Sequence, residues 1–121
     1  MSHIGVRARA VRPGLTALPV SGTTLPVDYE WDEAKSLANR RKHGVDFADA
    51  IEALEDPSRI EEIDERFEYG EERTQVIGRA QGDVLFVIVT LRSETICRII
   101  SARRATRHEE DRYYAGHSET W

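Results

Sequence analysis

The chain has 121 residues, a formal net charge of −5 and a single cysteine. That length suits one domain with one core, the lone Cys97 excludes an internal disulfide or a cysteine-based zinc cluster, and no apolar run approaches the roughly 20 residues needed to cross a bilayer. Without the basic, apolar and small-residue order of a secretory leader, a cytoplasmic protein is expected.

Residues 1–26 hold Pro13, Gly14, Pro19, Gly22 and Pro26 with no sustained period of 2 or 3.6, and read as an irregular arm. Val27 to Trp31 alternates apolar and acidic residues, the pattern of a short half-exposed strand at a sheet edge. Asp32 then supplies an N-cap for a helix running to His43, with Gly44 as its C′ glycine. Its apolar stripe is thin, only Ala34, Leu37 and Ala38 with Arg41 on the same face, which predicts a surface helix with a free basic end. Asp46 caps a second helix whose Phe47, Ala50, Ile51 and Leu54 form one apolar face, and Asp56-Pro57 breaks it. The two helices make a tight hairpin around Gly44-Val45.

A run of strands follows. Arg59 to Asp64 is a candidate strand, Glu65 to Glu72 a turn reversing at Tyr69-Gly70, and Arg73 to Ala80 a strand in which Gly78 marks a bulge or a close backbone approach. Gln81-Gly82 is a two-residue hairpin turn. Val84 to Leu91 is nearly all apolar and rich in β-branched residues, as in a central strand buried on both faces. After the polar break at Arg92, Ser93 and Glu94, Thr95 to Arg103 alternates. Strict alternation puts Ile96, Arg98, Ile100 and Ala102 on one face and Cys97, Ile99, Ser101 and Arg103 on the other. A last helix is expected from near Arg104 to Gly116, leaving residues 117–121 as a tail. The fold class is α+β: a short strand, a two-helix hairpin, an antiparallel meander of about four strands, and a C-terminal helix over a domain at 27–116.

The charge is polarised. Glu52 to Glu72 holds ten acids against Arg59 and Arg66, a local net of −8 that leaves +3 elsewhere. The basic sections are Lys35 to Lys42 and Arg92 to Arg107, so a cationic surface is compatible with an acidic total. His3, His43, His108 and His117 show no HExxH or similar metal spacing, and neither a glycine-rich phosphate loop nor a GxSxG elbow is present. The remaining chemistry is arginine on strands, a histidine at a helix end, and Glu109 and Tyr113 one helical turn apart. Arg98 and Arg103 either form a surface for an anion or carry their charges out at strand ends. Lys42 and His43 either belong to such a surface or simply oppose the helix dipole.

The blocks YEWDEAKSLANRRKHGVDFADAIEALEDP from Tyr29, YGEERTQVIGR from Tyr69, VLFVIVTLR and CRIISARRATRHEEDRYY resemble, in order and spacing, the BrnT family of toxins. The resemblance covers about Val27 to Tyr114, and the extra residues ahead of the first strand depart from it. It implies a RelE-like fold and a type II toxin that cleaves RNA without a metal or other cofactor, inhibiting translation. Its implied partner is a BrnA-like ribbon-helix-helix antitoxin, in a hetero-oligomer that meets operator DNA only through the antitoxin and involves no membrane. The acidic Glu52 to Glu72 region is then a candidate docking surface for a basic antitoxin segment. In such an enzyme Arg73, Arg98 and Arg103 would hold the phosphate, with Lys42, Arg92 and Arg104 adding RNA contacts. His43 or Tyr113 would move the proton, and Glu109 would orient Tyr113 or pair with an arginine. The competing expectation is a non-catalytic module that only assembles a repressor complex with its partner.

Overall fold

A computed structural model describes residues 27–64 and 71–118. The proposed arm at 1–26, the reversal at Tyr69-Gly70 and the last three residues lie outside them. The elements are β1 (Asp28–Glu30), α1 (Glu33–His43), α2 (Phe47–Leu54), β2 (Ile60–Ile63), β3 (Thr74–Ala80), β4 (Asp83–Ser93), β5 (Ile96–Arg104) and α3 (Arg107–Ser118). The expected α+β order is therefore present, and α3 runs two residues past Gly116.

The five strands form one sheet in the order β1-β5-β4-β3-β2. Strands β2 to β5 are an antiparallel meander, and β1 pairs parallel to the first residues of β5. Strand β4 is central, as its apolar run requires, with Val84 to Thr90 all buried. The turn ahead of it has positive φ at both Gln81 (53°) and Gly82 (87°), the backbone of a type I′ hairpin closed by Ala80 opposite Asp83. Strand β1 lies at the sheet edge but is not half-exposed: Tyr29, Glu30 and Trp31 are all buried.

One sheet face, carrying Val76, Ala80, Leu85, Val87, Val89, Cys97, Ile99 and Ala102, packs with Phe47, Ala50, Ile51, Ala53 and Leu54 of α2. The other face carries Ile77, Val84, Phe86 and Ile88, and Tyr113 of α3 covers them. Gly78 marks a close approach and not a bulge. A Cβ there would lie 2.2 Å from the Ala53 carbonyl oxygen, while the β3–β4 register runs unbroken past it.

Helix α1 packs by the face opposite to the expected one. Asp32 caps it through Ala34 and Lys35 amides, and Gly44 ends it at φ 76°. Its buried residues, however, are Ser36 and Asn39, whereas Ala34, Leu37, Ala38 and Arg41 are exposed. The reason is hydrogen bonding. Strand β1 ends opposite Arg98, which leaves the edge of β5 beyond it without a neighbouring strand. Asn39 takes that place, donating from Nδ2 to the carbonyls of Ala102 (2.6 Å) and Val45 (2.9 Å) while Oδ1 accepts from the Ala102 amide (3.2 Å). The Ser36 hydroxyl accepts the Phe47 amide at the start of α2. The Asp46 side chain makes no capping bond and instead lies 3.8 Å from Arg40.

Strand β5 also departs from strict alternation. Its pairing shifts between Ile88 opposite Ser101 and Val89 opposite Ile99, so Ile100 is an extra residue, a β-bulge. Cys97, Ile99 and Ala102 consequently share the α2-covered face, and Arg98, Ile100 and Arg103 turn to the other one. Alternation alone puts Arg98 and Arg103 on opposite faces; the bulge brings them to the same one.

Candidate functional site

Three adjoining depressions run from the ends of β3 and β4 across β5 to the side of α1. The first, about 210 Å³, is lined by Glu71, Glu72, Thr74, Thr90, Leu91 and Arg92. The second, about 160 Å³, has walls from Asp32, Lys35, Glu71, Arg73, Arg98 and Ile100. The third, about 260 Å³, is bounded by Lys35, Ala38, Lys42, His43, Ile100 and Ser101. Glu71 is common to the first two, and Lys35 and Ile100 to the last two. The result is a continuous groove holding Arg92, Arg73, Arg98, Lys35, Lys42 and His43.

Each cation arrives by a local structural cause. The β5 bulge turns Arg98 onto this face, and Arg98 makes no ion pair among the described residues. Arg73 precedes β3, with its carbonyl accepting the Asp64 amide (2.8 Å) and its guanidinium donating to Glu71 Oε2 from Nε (3.3 Å) and Nη2 (3.2 Å). The same segment is tied to β4 because Thr90 donates its hydroxyl to the Glu72 carbonyl (2.8 Å). Arg92, in the second irregularity of the β4–β5 pairing, donates to the buried carboxylate of Glu30 at 3.1 Å. Lys35 sits in the first turn of α1 and Lys42 and His43 in its last, so the polar packing of that helix sets the third wall.

The remaining residues expected at the site lie elsewhere. Arg103 forms a bidentate pair with Glu109, Nη1 to Oε1 at 2.9 Å and Nη2 to Oε2 at 3.0 Å, with its guanidinium 4.1 Å from the centre of the Phe86 ring. Glu109 also accepts the Thr106 amide (2.8 Å) and donates its own amide to the Thr106 hydroxyl (3.2 Å), completing a capping box for α3. Burial alone would raise the Glu109 carboxyl, but the Arg103 and Thr106 bonds and the Arg103 charge hold it below the usual carboxylate range. Tyr113 of α3 is buried against the sheet and donates its hydroxyl to Asp56 Oδ2 at 2.5 Å. Burial first, and then the Asp56 bond and charge, push its ionisation well above that of an ordinary phenol. Arg104 lies 3.5 Å from Asp83, near the β-hairpin turn on the side of α2. None of Arg103, Arg104, Glu109 and Tyr113 lines the groove.

Sequence reasoning placed Lys35 in a basic run but missed it as a site residue. Its signal was the three-residue spacing from the capping Asp32, which sets it on the first turn of α1. It also missed the capping box, although Thr106 and Glu109 stand at the T-x-x-E spacing.

Among the described residues no three His, Cys, Asp or Glu side chains come together as a metal site, and no helix is long and apolar enough to cross a membrane. The groove suits successive phosphates of an extended polyanion, since guanidinium and ammonium groups recur along it and its walls are backbone-anchored. The molecule is thus a small α+β protein with a cationic groove between one helix and an open sheet face. A family model described as the ribonuclease toxin BrnT of type II toxin-antitoxin systems matches residues 31–109, and the chain belongs to that family. It is also similar to the 1.1 Å crystal structure of the Brucella abortus ribonuclease toxin BrnT, at 28% identity over 64% of this chain and 94% of that one, with a TM-score of 0.45. No curated protein matches the chain.

Proposed function

We propose that this chain is a RelE-like endoribonuclease that cuts RNA without a metal, by attack of a ribose 2′-hydroxyl on the adjacent phosphate, and so inhibits translation and growth. The observation that carries the reading is Arg98, free of any ion pair among the described residues and set in the middle depression together with Arg73 and Lys35. An arginine left without a carboxylate in a half-buried position is disposed to take a phosphate oxygen in bidentate fashion. Charge on the non-bridging oxygens grows as the 2′-oxygen bonds to phosphorus, and cations already in place stabilise it without reorganisation. Arg73 and Lys35 add to that field. Arg92 and Lys42 hold the flanking phosphates, and His43 in the third depression protonates the departing 5′-oxygen.

Membership of a type II toxin family brings an antitoxin partner. We assign that role to a BrnA-like ribbon-helix-helix protein, which carries the pair to operator DNA. The test is cleavage of a defined RNA by the purified chain and by Arg98→Ala. Loss of an oriented transition-state cation should slow cleavage by about 100-fold or more, with antitoxin binding retained. Unchanged cleavage by the variant refutes the site. A wild-type chain that binds antitoxin and cuts nothing supports the non-catalytic module.

A further inference from the structure

We propose that Glu71 is the proton acceptor of the cleavage step, taking the hydrogen of the attacking 2′-hydroxyl on its Oε1; this rests on the ribonuclease reading above. Metal-free attack by a ribose hydroxyl needs a base within hydrogen-bond reach of that hydroxyl and an acid on the leaving side. The acids near the groove differ in how far they are already engaged. Asp32 uses Oδ1 to cap α1 through the Ala34 and Lys35 amides. Glu30 lies buried against Arg92, and Glu109 has both oxygens on Arg103 and α3. Tyr113 is bound to Asp56 outside the groove. Glu72 lines only the first depression, away from Arg98.

Asp32 shares the second depression with Glu71, but its carboxylate is held by the first-turn amides of α1, whereas Glu71 is held by an arginine of the depression itself. The Glu71 side chain is 42% exposed and lines the same depression as Arg73 and Arg98. Both Arg73 bonds fall on Oε2, so Oε1 has no partner among the described residues. The backbone that follows it is held twice, by Thr90 on the Glu72 carbonyl and by the Asp64 amide on the Arg73 carbonyl. A carboxylate oriented by a neighbouring guanidinium and left with one open oxygen is a base held ready to act.

The layout also keeps the base and the acid apart. Glu71 belongs to the first two depressions and His43 only to the third, with Lys35 shared between the second and third. A phosphate on Arg98 and Lys35 therefore has Glu71 towards one end and His43 towards the other. The O2′–H bond breaks with its proton passing to Glu71 Oε1, and the O2′–P bond forms. The P–O5′ bond breaks, and O5′ takes a proton from the His43 imidazolium. The products are a 2′,3′-cyclic phosphate and a 5′-hydroxyl, and exchange with water restores both side chains.

Glu71→Gln is the informative variant, because its amide oxygen still accepts from Arg73 while the base is lost. At saturating RNA the single-turnover rate should fall by about 100-fold or more. Binding of the same RNA with a 2′-deoxy nucleotide at the cut site should hold or tighten, since a negative charge beside the phosphate is removed. Glu71→Asp, which keeps a carboxylate, should retain more rate than Glu71→Gln. A Glu71→Gln rate within about threefold of wild type overturns the assignment, as does a loss confined to RNA affinity. If wild type itself cuts no RNA, the ribonuclease reading falls and takes this role with it. If wild type cuts and Arg98→Ala does not, while Glu71→Gln cuts normally, only the role of Glu71 is lost.

Discussion

Asn39→Ala should be among the most damaging single changes in α1, although it removes a polar residue from a helix whose leucine is left in water. The side chain makes three hydrogen bonds, two donated to the carbonyls of Val45 and Ala102 and one accepted from the Ala102 amide. Truncation orphans the buried Ala102 N–H, at about 1–3 kcal/mol, and strips one partner from each carbonyl at about 0.5–1.5 kcal/mol. Some relief comes from water entering the space, so a net loss of about 3 kcal/mol is expected. For a domain of this size that lowers Tm by about 12–20 °C. The assay is urea unfolding followed by far-UV circular dichroism, in an Arg98→Ala background so that expression does not depend on toxicity. Leu37→Ala is the control: with 45% of Leu37 exposed, the cost should stay within about 0.5 kcal/mol. A larger loss at Leu37 than at Asn39 would refute the reasoning, because α1 would then be packing by its apolar stripe.

Three further outcomes follow from the packing and the ion pairs. Gly78→Ala sets a Cβ 2.2 Å from the Ala53 carbonyl oxygen, so α2 must move by roughly 1 Å; a loss of about 2–4 kcal/mol in the same unfolding assay is expected, and a neutral result would contradict the close approach. Glu109 has a folded-state pKa held below its unfolded value, so its contribution is fully present above about pH 4.3 and disappears as pH falls through the folded value. Unfolding free energy from pH 6 to pH 3 should therefore drop more steeply for wild type than for Glu109→Gln, and parallel curves would dismiss the pair. Tyr113→Phe loses the bond to Asp56 and should destabilise by about 1–2 kcal/mol while leaving RNA cleavage within twofold. A collapse of cleavage in a well-folded Tyr113→Phe would return that tyrosine to the chemistry.

Much of the local structure could be read from residue types in order. Asp32 and Gly44 delimit α1 because a carboxylate satisfies first-turn amides and glycine tolerates positive φ. The Gln81-Gly82 turn, the break at Asp56-Pro57 and the burial of β4 on both faces are likewise local signals of backbone freedom, donor loss and apolar composition. Membership of the BrnT family was legible in the same way, from several separated blocks in one order. What periodicity could not reveal was which face a weakly amphipathic helix would bury. The free edge of β5, created where β1 stops, made Asn39 a packing residue, and the first amide of α2 did the same for Ser36. The bulge at Ile100 was equally invisible, since one inserted residue exchanges the faces of everything beyond it.

The partners of the charged groups form the last class, because charges meet through space and not along the chain. Sequence alone set out a small α+β domain with arginine-rich strands and a basic helix end. Tertiary structure decided which cations remained open. It paired Arg103 with Glu109 and Tyr113 with Asp56 away from the groove, tied Arg92 to Glu30 at the end of the groove, and left Arg98 in it without an ion pair among the described residues. The physical reason is that a salt bridge or buried hydrogen bond depends on distances of about 3 Å between groups that stand six residues apart for Arg103 and Glu109 and tens of residues apart for the other two pairs, a relation that only the folded sheet establishes.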